Sequence, residues 1–163
     1  DRKFRFKPDW TGVPAPRANS WIVERNMPGL PDHWDVIENA DSAHPFRLAT
    51  SPSRDYLNSS FNETPTSRAR FGLPRVKAHP DDLSRLGIAD GARVRMGNER
   101  GEITLSAQAF PGVQPGVLIV ESIAPNDDFE NGEGINTPTN AYQPGPFGGA
   151  VFHDNHVWLR AAS

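Results

Sequence analysis

Apolar and polar residues alternate in short runs along this chain, and proline, glycine or asparagine interrupts them. Phe46 and Leu48 set a two-residue alternation that predicts a buried strand over 45–49, led by His44. Pro52 cannot donate to a strand ladder and stops it. A second short strand is predicted over 74–79. The clearest helix signal follows at once: Pro80 suits the first helical position, Asp81 and Asp82 favour the positive N-terminal end, Leu83 and Leu86 share a face, and Gly87 can end it in a left-handed conformation. Val94 and Met96 alternate with Arg93 and Arg95. Residues 98–101, Asn-Glu-Arg-Gly, predict a hairpin turn, and Ile103, Leu105 and Ala107 mark the return strand. Val117–Val120 is continuously apolar, as expected of a strand covered on both faces, and residues 151–159 predict a closing strand.

Two regions lack this pattern. Residues 1–44 read as an irregular arm or a tail from a preceding domain. Within it, residues 3–7 predict one edge strand, stopped by Pro8, and Trp10, Trp21 and Trp34 lie among prolines as surface anchors. Residues 126–149 are rich in Asn, Asp, Gly and Pro, a candidate functional loop by its length. The connections at 61–74 and 126–149 are too long for hairpins. Residues 45–163 therefore predict one mainly β domain, a small closed barrel of about six strands with one or two short helices.

Composition changes this picture little. The 163 residues hold 20 acidic and 17 basic side chains, and the loosely spaced Arg68, Arg70, Arg75 and Lys77 make no basic face of the kind nucleic acid requires. The sixteen prolines and fourteen glycines suit many short elements joined by tight turns. With no cysteine, the chain has no disulfide, thiolate metal site or cysteine nucleophile, and it suits cytosol and periplasm alike. No apolar run approaches the roughly 20 residues of a membrane span. The start at Asp1, with no signal-peptide pattern, fits a processed protein or a piece of a longer one.

The candidate chemistry gathers where the first strand opens into a polar loop. Thr50, Ser51, Ser53, Arg54, Tyr56, Asn58 and Ser59 offer hydroxyls, an amide and a guanidinium, groups that suit an anion. His153, Asp154 and His156 are the nearest approach to a metal-ligand cluster, but neighbouring residues of a strand face opposite ways. GxSxG, GxGxxG and GxxxxGK are absent. The residues thus offer a binding surface and no catalytic constellation.

Five stretches in order carry a resemblance: FRLATSPSRDYLNSSF at 46–61, VKAHPDDLSRLGIADGARVRMGNERGEI at 76–103, PGVLIVES at 115–122, GINTPT at 134–139 and GGAVFHDNHVWL at 148–159. Together they resemble the C-terminal, dinucleotide-binding domain of molybdopterin oxidoreductases, the dimethyl sulfoxide reductase family. The resemblance implies a double-psi β-barrel. It implies a bis(molybdopterin guanine dinucleotide) cofactor with molybdenum or tungsten, held jointly with the remaining domains of a parent oxidoreductase. Thr50, Ser51, Ser53 and Arg54 would meet phosphate or pterin groups, Asn58 and Ser59 pterin or guanine edges, and Asn136 the cofactor. His153 stands where some relatives place a lysine. Asp81 lies in the HPDD segment, where helix-end charge competes with guanine contact as its role. The family's metal ligand lies on another domain, so this chain would bind and orient cofactor without turning over alone. The rival expectation is a stand-alone β-barrel interaction module without cofactor. A hydrolase or decarboxylase on the same barrel is a weaker one.

Overall fold

The six alternating runs form six strands that close on themselves: β1 (Phe46–Ser51), β2 (Arg75–Ala78), β3 (Arg93–Asn98), β4 (Gly101–Ala109), β5 (Val117–Glu121) and β6 (Asn155–Ala161). The computed structural model describes residues 2–4, 6, 7, 30, 38–140, 153 and 155–162. Contacts divide the chain into two units, 1–37 with 140–151 and 38–139 with 152–163, and the second contains the barrel. No described helix is long and apolar enough to cross a membrane.

Around the barrel the order is β1-β5-β2-β4-β3-β6, with β6 returning to β1. The β1–β5 and β2–β4 pairs are parallel and the other four antiparallel. The long connections run between strands that are not neighbours, β1 to β2 and β5 to β6, so neither could be a hairpin. The mainly β barrel expected from the sequence is thus formed, and its mixed order is consistent with the double-psi expectation.

The alternation has a direct cause in packing. Phe46 and Leu48, Val76 and Ala78, Val94 and Met96, Ile103 and Leu105, Leu118 and Val120, and Val157 and Leu159 all point into one core. Each fully buried aliphatic or aromatic side chain of this size contributes roughly 1.5–3 kcal/mol relative to exposure. Phe129 and Ile135 of the long loop, with Ala124 just before it, join the core, so that loop is anchored by burial.

Several boundaries differ from expectation. β1 runs on to Ser51, because Thr50 and Ser51 continue the parallel register with Val120 and Glu121. The run 117–120 is covered on one face only: Leu118 and Val120 are buried, while Val117 and Ile119 are half-exposed. The closing strand begins at Asn155, and His153 lies outside it. Phe4 and Phe6 do not alternate along a strand; a bend sets their exposed rings edge to face, 4.9 Å apart. The three anchoring tryptophans proposed for residues 10, 21 and 34 lie outside the described residues.

Two short helices join the strands. α2 (Pro80–Leu86) follows the signals read from the sequence: His79 caps it, Pro80 starts it and Gly87 ends it at φ 67°. α1 (Pro65–Phe71) has no buried residue and no apolar stripe to announce it. Proline opens it, the Phe71 ring packs on Tyr56 at 4.6 Å, and Arg68 grips Asp128 with two bonds of 2.7 and 3.2 Å.

Asp82 does more than charge a helix end. Its buried carboxylate accepts from Gly116 N and Arg85 Nη2, each at 2.7 Å, tying α2 to the entry of β5. Gly116 O in turn accepts from Arg47 N, so the tie reaches β1. Asp82→Ala is expected to cost about 1.5–3 kcal/mol, the worth of hydrogen bonds to a charged group. Asp82→Asn, which keeps an acceptor, should cost less. Urea midpoints of the three proteins check this, and an unchanged midpoint for Asp82→Ala refutes it.

Candidate functional site

The end of β1 opens into a groove of about 730 Å³. β1 delivers Ala49, Thr50 and Ser51 to one wall, and Pro52 ends the ladder there. The turn that follows adds Asn58, and the end of β5 adds Ser122 and Ile123. Ile135, Asn136 and Thr139 come from the long loop, and His153 from the approach to β6. The aliphatic wall of Ala49, Pro52, Ile123 and Ile135, set with a few polar groups, is the usual makeup of a ligand site.

Local chemistry shapes each contributor. Asn58 sits at φ 53°, a left-handed conformation that asparagine tolerates better than most residues. Its carbonyl accepts from Ser122 Oγ at 2.8 Å, and Ser122, itself at φ 66°, donates its N–H to Ser51 O. Ser122 is buried and so fastens the 57–60 turn to the strand ends. Thr50 Oγ1 lies 2.8 Å from His153 Nδ1, which aims the imidazole across the groove mouth.

The long loop is built as firmly. A 3₁₀ turn at Asn126–Asp128 starts it. Asn131 then imitates a strand: its Oδ1 accepts from Thr104 N and its Nδ2 donates to Glu102 O along β4. Gly134 passes so close to the Asn126 side chain that a Cβ would meet Oδ1 at 2.2 Å. Thr137 N and Thr139 N close turns on Gly134 O and Asn136 O. From the β3–β4 corner, Asn98 Nδ2 (2.8 Å) and the Arg100 Nε (3.0 Å) and Nη2 (2.8 Å) donate to Pro138 O. Asn136 is thereby presented to solvent between fixed neighbours.

Five of the eight residues singled out in the sequence meet in this groove: Thr50, Ser51, Asn58, Asn136 and His153. Ser53, Arg54 and Ser59 lie on the same loop but do not line it. Ser53 Oγ accepts from Asp55 N at 3.0 Å, and Arg54 and Ser59 are exposed. The side chains of Ser51, Asn58 and Asn136 make no hydrogen bond among the described residues, so their donors and acceptors are open to a ligand. Ser122, Ile123, Ile135 and Thr139 were missed. Ser122 had no local signal, since its importance lies in a conformation and in a contact with a distant turn.

The basic cluster read from the sequence is largely spent on internal pairs. Arg68 holds Asp128, Lys77 holds Glu121 at 2.6 Å, and Arg75 donates to Phe71 O. Burial pushes the Tyr56 phenol beside this cluster above its ordinary value.

Comparison with known proteins bears on the same residues. The description "Molydopterin dinucleotide binding domain" matches residues 46–156, from the first residue of β1 into β6. The probable oxidoreductase YoaE of Bacillus subtilis (strain 168) is 29% identical over 165 residues, covering 95% of this chain and 23% of its own. The dimethyl sulfoxide/trimethylamine N-oxide reductase of Rhodobacter capsulatus is 32% identical over 128 residues, 71% of this chain and 16% of its own. Acetylene hydratase from Pelobacter acetylenicus shares the fold with a TM-score of 0.69 at 13% identity, over 84% of this chain and 22% of that one. The chain thus spans less than a quarter of the length of these relatives.

Ser122→Ala should remove the bond that fastens the groove's turn, at a cost of about 0.5–1.5 kcal/mol. Faster amide exchange at 57–60 with unchanged protection in β3 and β4 is the expected result. Uniform loosening of the barrel would show that Ser122 has no such local task.

Proposed function

We propose that this chain, which belongs to the molydopterin dinucleotide binding domain family, receives its cofactor in the groove at the end of β1. Binding a molybdopterin dinucleotide is the function its family membership carries. The residues that do it, the form of the cofactor and the nature of the whole protein are our assignment. The observation that supports the residue assignment is the convergence of Thr50, Ser51, Asn58, Asn136 and His153, from separate segments, on one groove.

The donor set fits the group. Hydroxyls of Thr50 and Ser51 and the His153 ring suit phosphate oxygens, which accept and do not donate. The amides of Asn58 and Asn136 both donate and accept, matching the mixed edges of guanine or pterin. The aliphatic wall excludes water from the rings' faces and strengthens each polar contact. Ser53, Arg54 and Ser59 would take part where the cofactor extends past the groove's rim, with the Arg54 guanidinium able to grip a phosphate by two parallel bonds.

In this reading the cofactor is a bis(molybdopterin guanine dinucleotide), and when bound it supplies the molybdenum or tungsten centre for oxidoreductase chemistry. The chain binds and orients one nucleotide arm, and other parts of a larger oxidoreductase hold the rest. The short span relative to the bacterial relatives supports that division. Residues 1–44 would then be the tail leading from the preceding domain and 45–163 the cofactor-binding barrel. No observation favours the stand-alone interaction module.

An NMR titration of the labelled chain with guanosine diphosphate tests the assignment. Shifts centred on Thr50, Asn58, Asn136 and His153 are expected, and Asn136→Ala should weaken binding about tenfold, the equivalent of roughly 1.4 kcal/mol. Shifts elsewhere, or none at millimolar nucleotide, overturn the residue assignment. Absence of molybdenum and tungsten from the native full-length protein would overturn the larger reading.

A further inference from the structure

The groove at the end of β1 has one ionisable side chain in its described lining, His153. The other polar contributors are hydroxyls and amides: Thr50 and Ser51 from β1, Asn58 from the turn, Ser122 from the end of β5, and Asn136 and Thr139 from the long loop. Among the described residues, none of these elements brings a second charge to the lining. Glu121, which precedes Ser122, is taken by Lys77 at 2.6 Å, and Arg54 stays on the exposed loop outside the lining.

His153 has one hydrogen bond among the described residues, between its Nδ1 and Thr50 Oγ1 at 2.8 Å, and it is exposed, so its protons exchange with solvent. One proton lies between those two atoms, and its owner decides what the pair offers a ligand. If Thr50 donates, the neutral ring carries its own proton on Nε2, and the Thr50 oxygen has only lone pairs left to offer. If Nδ1 donates, the Thr50 O–H is released toward the groove, but Nε2 of the neutral ring is then a bare lone pair. Either neutral form offers one donor and one acceptor. In the imidazolium form Nδ1–H donates to Thr50, Nε2–H is a second donor, and the Thr50 hydroxyl hydrogen is released. Both side chains are then donors.

Phosphate oxygens accept and do not donate. They meet an acceptor in either neutral form and none in the charged one, and their own charge favours the protonated ring further. The pyrophosphate of a dinucleotide cofactor is esterified at both ends, so its charge does not change near neutral pH. The proton that completes the match therefore comes to the protein.

We propose that the Thr50–His153 pair takes up one proton when the groove binds a pyrophosphate diester, so that binding strengthens as pH falls. The inference rests on the assignment of this groove to the nucleotide arm of the cofactor.

The sign follows from linkage. A ligand that prefers the protonated ring draws a proton onto it wherever the unliganded ring is neutral. Affinity thus rises as pH falls, and levels off once the unliganded ring is itself protonated. The same pairing selects against neutral ligands. A group that donates as well as accepts is matched by either neutral form and gains nothing from the proton.

The test is calorimetric titration of the full chain with guanosine diphosphate mannose, a pyrophosphate diester, at about pH 6, 7 and 8, the span across which histidine titrates. Affinity should fall about tenfold from the lowest pH to the highest. Heats in two buffers of unlike ionisation enthalpy should show net proton uptake near neutral pH. His153→Asn should bind at every pH about as weakly as the unaltered chain does at the highest, without proton uptake. His153→Lys, whose charge persists over this span, should bind at every pH about as tightly as the unaltered chain does at the lowest. His79→Asn, at the cap of α2, should keep the full slope. A level affinity in the unaltered chain, or a slope that His153→Asn retains, overturns the inference and leaves the groove assignment standing. No binding of the millimolar diester at any pH overturns the groove assignment itself, and the inference with it.

Discussion

The corner between β3 and β4 is the constraint on which the surroundings of the barrel depend. Asn98 is buried there and shares its side chain three ways: Nδ2 donates to Pro138 O and His156 O, and Oδ1 accepts from Arg100 N. Arg100 adds two bonds to Pro138 O and a two-pronged pair with Glu38. One tight turn thus holds the long loop, the start of β6 and the segment before β1. Gly101 makes this approach possible, since it lies at φ 153° and a Cβ there would meet Thr137 Cγ2 at 2.6 Å. An unpaired buried donor costs its full desolvation, so a corner of this kind is satisfied as a set or not at all.

From that corner two surfaces diverge. Through Pro138 it presents Asn136 to the groove, where the end of β1, the 57–60 turn and His153 complete the lining. Through Glu38 and Glu99 it presents the segment carrying Asp41 and His44 to the outward face of β6. β6 carries the second of these because its residues alternate: Val157 and Leu159 fill the core while His156 faces outward. The barrel is thus a rigid frame, and its chemistry lies on loops and strand ends, where binding residues concentrate.

Much of the frame was legible because two-residue alternation within 45–163 marks strands with one face in a core, although the same pattern at residues 3–7 made no strand among the described residues. Every alternating run within 45–163 became a strand, and α2 formed where capping, charge and glycine signals agreed. α1 was illegible because it buries nothing; contacts with Tyr56 and Asp128 hold it, and these have no local pattern. The groove was half legible. Hydroxyls and amides after a strand marked Thr50, Ser51 and Asn58, but composition could not tell them from Ser53, Arg54 and Ser59, whose direction depends on the turn. The histidines show the same limit. Neighbouring His153 and His156 invited a shared role, yet one faces Thr50 and the other His44.

The sequence by itself determined the mainly β barrel, its core residues and the family, because apolar period and ordered motifs are properties of the chain read locally. Only the tertiary structure decided which polar residues share a site. Closing the barrel through parallel β1–β5 and β2–β4 pairs brings chain segments together that no spacing rule relates. Ser122 beneath Asn58, Pro138 against Arg100 and His44 on His156 are contacts of that kind, set by where strands end in space.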